Sequence, residues 1–361
     1  MVKRVFVSDC EGPISKNDNA FELTSRFVPD GDRLFTVVSR YDDVLAEVVQ
    51  KPDYYAGGTL KLVLPFLKAY GVTDGKMREY AADHLVTVSG AKETLSHVRG
   101  LAPAFIVSAS YEHYLRALCE VLEFPFEDTY CTRVCLDKYG IRENEKGELK
   151  HIAKEIAQMP VFEIPSEAES LDDLPADVQE SVRRLDEVFW KTIAEMEIGR
   201  IYCEVNPVGG GEKAEAIRDL VRRLDATVAD VMYVGDSITD DEAFKLVGRK
   251  GGLTVSFNGN GYAVRNAEVA VLSENSIVTT VIADVFLRLG KPEALRFVEN
   301  WNRKGQEESG VSKMLINRLF KLYPGKLPKV KIITDGNAEA LAKESSRFRN
   351  RVRGEAVGRL G

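Results

Sequence analysis

Four short segments place polar side chains where an apolar run ends or a helical run begins: Val5-Phe-Val-Ser-Asp-Cys-Glu-Gly12, Phe105-Ile-Val-Ser108, Gly209-Gly-Gly-Glu-Lys213 and Val231-Met-Tyr-Val-Gly-Asp-Ser-Ile-Thr-Asp240. In an open α/β sheet the ligand crevice lies outside the carboxyl ends of the strands, which is where such positions fall. A single carboxylate at a strand end is ordinary. Asp9, Ser108, Lys213 and Asp236, in this order, point to a phosphate and a divalent cation held in one pocket.

A phosphate monoester resists hydrolysis because its attacker must approach an anion, and catalysts answer with positioning and charge neutralisation. A carboxylate nucleophile divides the reaction into two steps through an aspartyl-phosphate. Asp9 has the position for that role, although strand-end aspartates also cap turns through their side chains. Two carboxylates beside a phosphate repel it unless a cation intervenes, and Mg²⁺ takes one or two carboxylates together with phosphate oxygens and water. Asp9 and Asp236 are the expected carboxylate ligands. Asp240 and Asp241 are candidates for holding coordinated water, but acids in a first helical turn are also what the helix dipole favours. Lys213 falls in a first turn, where a cation opposes the dipole by a few tenths to about 1 kcal/mol. Something should compensate it, either Glu212 or an anion bound between the lysine and the nucleophile. The glycines at 209 to 211 permit close backbone approach, and Ser108 reads either as a donor to a phosphoryl oxygen or as the cap of the next helix.

The elements that would position these groups are legible along the chain. Residues 3–8 read as a short buried strand closed by Gly12-Pro13. Strands are also expected at 104–107, 129–136, 231–234, 253–257 and 268–272, with helices at 91–99, 112–122, 212–224, 240–247 and 277–289. Strands alternating with helices imply an α/β fold with a parallel, doubly wound, Rossmann-like sheet. Some seventy residues separate the first two segments, too many for a simple crossover. A charged insertion follows at 138–199, in which 176–196 has the spacing of a long amphipathic helix. The expected division is a core of residues 1–15 and 89–290, a mainly helical unit of residues 16–88, and an accessory C-terminal module of residues 291–361 with one strand candidate at 330–334. Arg347, Arg349, Arg351 and Arg353, spaced two apart, spread around a helix, so a solvated or frayed end is expected there.

The four segments resemble the ordered motifs of the haloacid dehalogenase (HAD) superfamily: a strand ending in Asp-x-Asp, a second ending in Ser or Thr, a Lys opening a helix, and Gly-Asp-x-x-x-Asp after a further strand. The matches are Asp9, Ser108, Lys213, and Asp236 with Asp240, over roughly residues 1–290, and Gly235-Asp-Ser-Ile-Thr-Asp240 is the most specific of them. The resemblance implies a Mg²⁺-dependent phosphatase in which Asp9 is the nucleophile, Ser108 and Lys213 bind the phosphoryl group, and Asp9, Asp236, Asp240 and the main-chain carbonyl of Glu11 serve the metal. It also implies that residues 16–88 are a helical cap. Position 11 departs from the family, carrying Glu where Asp is usual, and Pro13 stands where Thr is usual. Glu11 keeps the carboxyl of the acid/base but reaches roughly 1.5 Å further, where about 1 Å of misplacement can cost 10²-fold. The Asp-Cys-Glu-Gly-Pro version resembles an archaeal branch that includes accessory subunits of energy-converting hydrogenases.

Composition sets the outer limits. The chain has 361 residues, enough for two domains or one core with large insertions, and its 44% hydrophobic content can bury that core. A net charge of −7 argues against nucleic acid as a partner. The absence of a signal-peptide apolar region or a bilayer-length apolar run predicts a cytoplasmic protein without membrane insertion. Five unevenly spaced cysteines read as reduced thiols, with Cys131 and Cys135 sharing a buried strand face, and the four histidines show no zinc spacing. The expected substrate is a small phosphorylated metabolite, with Arg26, Arg40 and Tyr54 as cap candidates for recognising it. The competing reading is a catalytically weak or inactive HAD-like binding or regulatory subunit with a protein partner in a larger complex. A dehalogenase is disfavoured because a halide site needs no divalent ion.

Overall fold

Val5–Ser8 forms β1, buried along its whole length, as a strand covered on both faces must be. The computed structural model describes residues 4–52, 54–165, 168–308, 311–358 and 360, so Lys3, assigned to this strand by the sequence pattern, lies outside the described residues. Six strands follow: β2 (Ala104–Tyr111), β3 (Thr129–Thr132), β4 (Val231–Gly235), β5 (Leu253–Phe257), β6 (Val269–Leu272) and β7 (Lys329–Ile332). They make one sheet in the order β3-β2-β1-β4-β5-β6-β7, parallel throughout except for β7, which runs antiparallel to β6. The chain winds outward from β1 to β3 and then returns to β4 on the other side of β1. The direction of winding therefore switches between β1 and β4, where the crevice of such a sheet opens.

Helices cover both faces, as the alternation of elements requires. One apolar layer packs Phe6, Ile106 and Val234 against Leu95, Leu115, Val281 and Ile282, and the opposite layer packs Val5, Val7 and Tyr233 against Ile217, Leu220 and Phe244. Three local expectations change. β2 continues through Tyr111, with a register shift against β3 after Val107. β3 stops at Thr132, so Cys131 is buried while Cys135 is exposed, and the two do not share a strand face. The amphipathic helix is Ala176–Glu187, followed by a π-helical turn over Val188–Ile193.

The segment between β1 and β2 is helical: Asn19–Phe27, Gly31–Asp43, Leu64–Ala69 and Asp74–His84. Its apolar core is shared with the insertion after β3, since Leu34, Val38 and Phe66 cluster with Ile152, Ile156, Leu185 and Phe189. Two insertions distant in sequence thus bury one another. The C-terminal region also has partners. β7 extends the sheet, and the helix Ala338–Arg353 buries Leu341 and Ala342 against Val264 and Leu272. Arg349 on that helix is 2% exposed, which overturns the expectation of a solvated end. Among the described residues no helix is long and apolar enough to cross a membrane.

The loop of residues 54–59 is organised by Asp42. Its buried carboxylate accepts from the amides of Gly57, Gly58 and Thr59 at 3.0 to 3.1 Å, from the Thr59 hydroxyl at 2.8 Å and from the Tyr54 hydroxyl at 2.7 Å. Removing an acceptor leaves each buried donor to bear its own desolvation. Asp42→Ala is expected to destabilise the protein by about 3–4 kcal/mol, read as a fall in the denaturant midpoint, with Asp42→Asn losing less.

Candidate active site

The parallel register brings the sequence-distant motifs together. Ser8 is opposite both Ile106 of β2 and Val234 of β4, and the Asp9 amide extends the ladder by donating to the Val234 carbonyl at 2.8 Å. Asp9, Ser108 and Asp236 therefore leave neighbouring strands at the same end of the sheet. Gly12, at φ +96°, packs so closely on the Asp236 carboxylate that a Cβ there would overlap it, and a side chain at that φ would be strained in any case.

Lys213 lies in the first turn of the helix Gly210–Leu224 and is fully buried. Its Nζ is 2.8 Å from Asp9 Oδ2 and 2.7 Å from Asp240 Oδ1. These two carboxylates, rather than Glu212, balance the cation against the helix dipole. Burial works against the lysine charge, yet Asp240 and Asp9 hold its pKa above the ordinary value. Burial likewise opposes ionisation of Asp240, but Lys213 and the Tyr233 hydroxyl outweigh it and keep its carboxyl below the usual range. Asp240 accepts at Oδ1 from Lys213 and Tyr233 and at Oδ2 from the amides of Asp236 and Ser237 at 2.8 and 2.9 Å. Asp9 is pushed up to about 7, chiefly by burial, with Lys213 opposing and Asp240 and Asp236 adding to the rise. The glycines at 209 to 211 do permit a close approach, but the group that makes it is the loop before Thr59, through Tyr55 and Ala56.

Glu11 is seated by two donors on one oxygen: Oε1 accepts from the Asn19 amide at 2.9 Å and from the Ser110 hydroxyl at 2.7 Å. Burial, then the nearby Asp18, pushes its pKa well above the ordinary value. Ser108 donates to Ser110 at 3.1 Å, so a hydroxyl chain links Ser108 to Glu11. Ser110 was missed by sequence reading, although strand alternation puts residues 108 and 110 on one face. Asp18, whose side chain caps the helix Asn19–Phe27 by accepting from the Phe21 amide at 3.0 Å, was also missed.

Arg349 and Arg353 were missed as well. Arg349 Nη1 donates to both the main-chain oxygen and Oδ2 of Asp236, and Arg353 Nη1 lies 3.1 Å from the same Oδ2. A spacing of four does put two residues on one helix face, but the sequence does not say where that face points. The cavity at this end of the sheet has a volume of about 80 Å³. Six carboxylates, those of Asp9, Glu11, Asp18, Asp42, Asp43 and Asp236, line it with Ser108 and the two guanidinium groups. Arg26, Arg40 and Tyr54 do not line it; Tyr54 and Arg40 are bonded to Asp42 and Asp43.

Oxygens of Asp9, Asp236 and Asp240 lie within 4.8 Å of one another. A buried, all-oxygen donor set of this kind suits a hard divalent ion such as Mg²⁺. Residues 109–284 match the family model of haloacid dehalogenase-like hydrolases, a stretch that carries Lys213, Asp236 and Asp240 and begins after Asp9 and Ser108. A gene product of Archaeoglobus fulgidus of known structure is 27% identical, with 99% of each chain covered and a TM-score of 0.76. Phosphoserine phosphatase, as a phospho-aspartyl intermediate analogue and in its apo form, is 13% and 12% identical, with TM-scores of 0.40 and 0.41. Those alignments cover 76% and 80% of this chain and 96% and 100% of theirs. No curated protein matches. Over residues 109–284 the chain is thus similar to haloacid dehalogenase-like hydrolases.

Lys213 is the group whose loss the site should tolerate least, because two buried carboxylates would lose their cation together. Lys213→Met is expected to cost about 3–5 kcal/mol, measured by chemical unfolding. Adding Asp240→Asn to the same chain should restore part of that loss.

Proposed function

We propose that the protein is a Mg²⁺-dependent phosphomonoester hydrolase that acts through an aspartyl-phosphate on a small phosphorylated metabolite. The observation that carries this reading is the meeting of Asp9, Lys213, Asp236 and Asp240 at the switch point of the sheet, with Glu11 lining the cavity beside Asp9 and Asp236. An Asp9 oxygen attacks phosphorus, the bond from phosphorus to the leaving oxygen breaks, and that oxygen takes the proton of Glu11. Glu11 then takes a proton from water, the resulting hydroxide attacks the aspartyl-phosphate, and inorganic phosphate leaves with Asp9 restored. The raised pKa of Glu11 supports this order, because a general acid must be protonated at working pH. Ser108 and Lys213 hold the phosphoryl oxygens. Asp9, Asp236 and the main-chain carbonyl of Glu11, with Asp240 beside them, would hold the Mg²⁺, which supplies charge neutralisation at those oxygens.

A second reading, a weak or inactive HAD-like regulatory subunit of the kind suggested by the archaeal Asp-x-Glu-Gly-Pro branch, is favoured by two observations. The cavity is small and Asp236 is engaged by two arginines. Hydrolysis of an aryl phosphate separates the two. The first reading expects phosphate release that requires Mg²⁺ and stops with a chelator. Asp9→Asn should lower kcat/KM by about 10⁴-fold or more and Glu11→Gln by about 10²- to 10⁴-fold. No turnover by the native chain with any divalent ion, together with a stable protein partner in a pull-down, would decide for the second.

A further inference from the structure

We propose that Arg349 and Arg353 are positioning residues for the divalent-ion site, so that the C-terminal helix completes that site by fixing the carboxylate of Asp236. The inference rests on the ion-site reading above and adds to it a part of the chain that the HAD resemblance, ending near residue 290, does not include.

The two arginines occupy one face of Ala338–Arg353, and their side chains are 3% and 5% exposed against 2% for Asp236. Burying two like charges side by side is costly unless each is paired and its donors are used. Here they are. Arg349 donates through Nε to the Gly358 carbonyl at 3.1 Å and through Nη2 to the Leu360 carbonyl at 3.3 Å. Arg353 donates through Nε to the Lys16 carbonyl at 3.1 Å and through Nη2 to the Asn17 carbonyl at 2.5 Å. The first ties Gly358 and Leu360 to Asp236, and the second ties to it the loop that follows Glu11. Ser345, one turn before Arg349, anchors the helix by donating to the Gly259 carbonyl at 2.6 Å.

All of the guanidinium contacts with the Asp236 side chain are to Oδ2. Among the described residues no hydrogen bond reaches Oδ1. With Gly12 against the carboxylate and Oδ2 fixed from two directions, the plane of the carboxylate cannot turn, and Oδ1 keeps one orientation. A ligating carboxylate whose other oxygen is hydrogen-bonded is the usual support of a metal site, and loss of such a partner typically costs about 10- to 100-fold in affinity.

The competing physical expectation has the opposite sign. If the guanidinium groups merely occupy the place of a cation, removing one should tighten metal binding. The test is calorimetric titration of the full-length chain with Mg²⁺ alone, comparing the native protein with Arg353→Gln and Arg353→Lys and with Arg349→Lys as a further variant, each first checked by thermal melting. Arg353→Lys keeps the charge but cannot hold Asp236 and both loop carbonyls at once. Weakening by about 10-fold or more in the folded Arg353 variants, with a changed electron paramagnetic resonance spectrum for Mn²⁺ bound in place of Mg²⁺, is the expected result. Unchanged or tighter binding in the variants, with the native chain binding Mg²⁺, overturns this inference alone. No binding by the native chain overturns the ion-site reading and this inference with it.

Discussion

A lysine ammonium removed from water and set between two buried carboxylates is the constraint on which the rest of this structure depends. Bringing such ions out of water costs several kcal/mol each, even after relaxation, and the group persists only where every member finds an opposite charge or a donor. Asp240 accepts from an ammonium, a phenol and two amides, while Asp9 accepts from Lys213 and the Cys10 amide. Three elements are thereby locked together: the end of β1, the first turn of Gly210–Leu224 and the turn after β4. The register of β1 on β4 is set by apolar cover on both faces, and the charges at its end hold the same register.

The sheet was legible because its strands are short apolar runs punctuated by glycine and by helices of clear period. Once a parallel register is assumed, the meeting of Asp9, Ser108 and Asp236 follows from it. What could not be read was anything that depends on where an insertion or a tail returns. The helical segment between β1 and β2 and the insertion after β3 each show amphipathic spacing, but nothing in the spacing says that Leu34 meets Ile152 or that Phe66 meets Phe189. The alternating arginines near the C-terminus suggest a spread of charge around a helix. Only the packing of that helix on Gly261–Asn266 shows that positions 349 and 353 point inward while Arg347 and Arg351 remain exposed.

Charge also bears on what the cavity can accept. A space lined by six carboxylates and two guanidinium groups repels a phosphate dianion unless some of the acids are protonated or a further cation is present. Both remedies have a basis in these residues. Burial raises Glu11 toward its neutral form, and the cluster of Asp9, Asp236 and Asp240 has the oxygen donors that a small divalent ion requires. Without the arginines the same cavity would carry two more uncompensated charges, so the C-terminal helix bears on its electrostatics as well as its shape.

Glutamate at position 11 has a structural counterpart. A side chain one methylene longer has an additional rotatable bond to immobilise, and here two donors on one oxygen do so. One of them, the Asn19 amide, belongs to the first turn of the helix Asn19–Phe27, where unpaired N–H groups are available. The other, Ser110, is held by the strand that carries Ser108. In the proposed reaction the proton carried by Glu11 is therefore placed jointly by Asn19–Phe27 and the sheet. Any movement that lifts Asn19–Phe27 from the sheet would withdraw the acid/base from Asp9 while leaving the nucleophile in place. On that proposal, proton transfer depends on how Asn19–Phe27 is seated against the sheet.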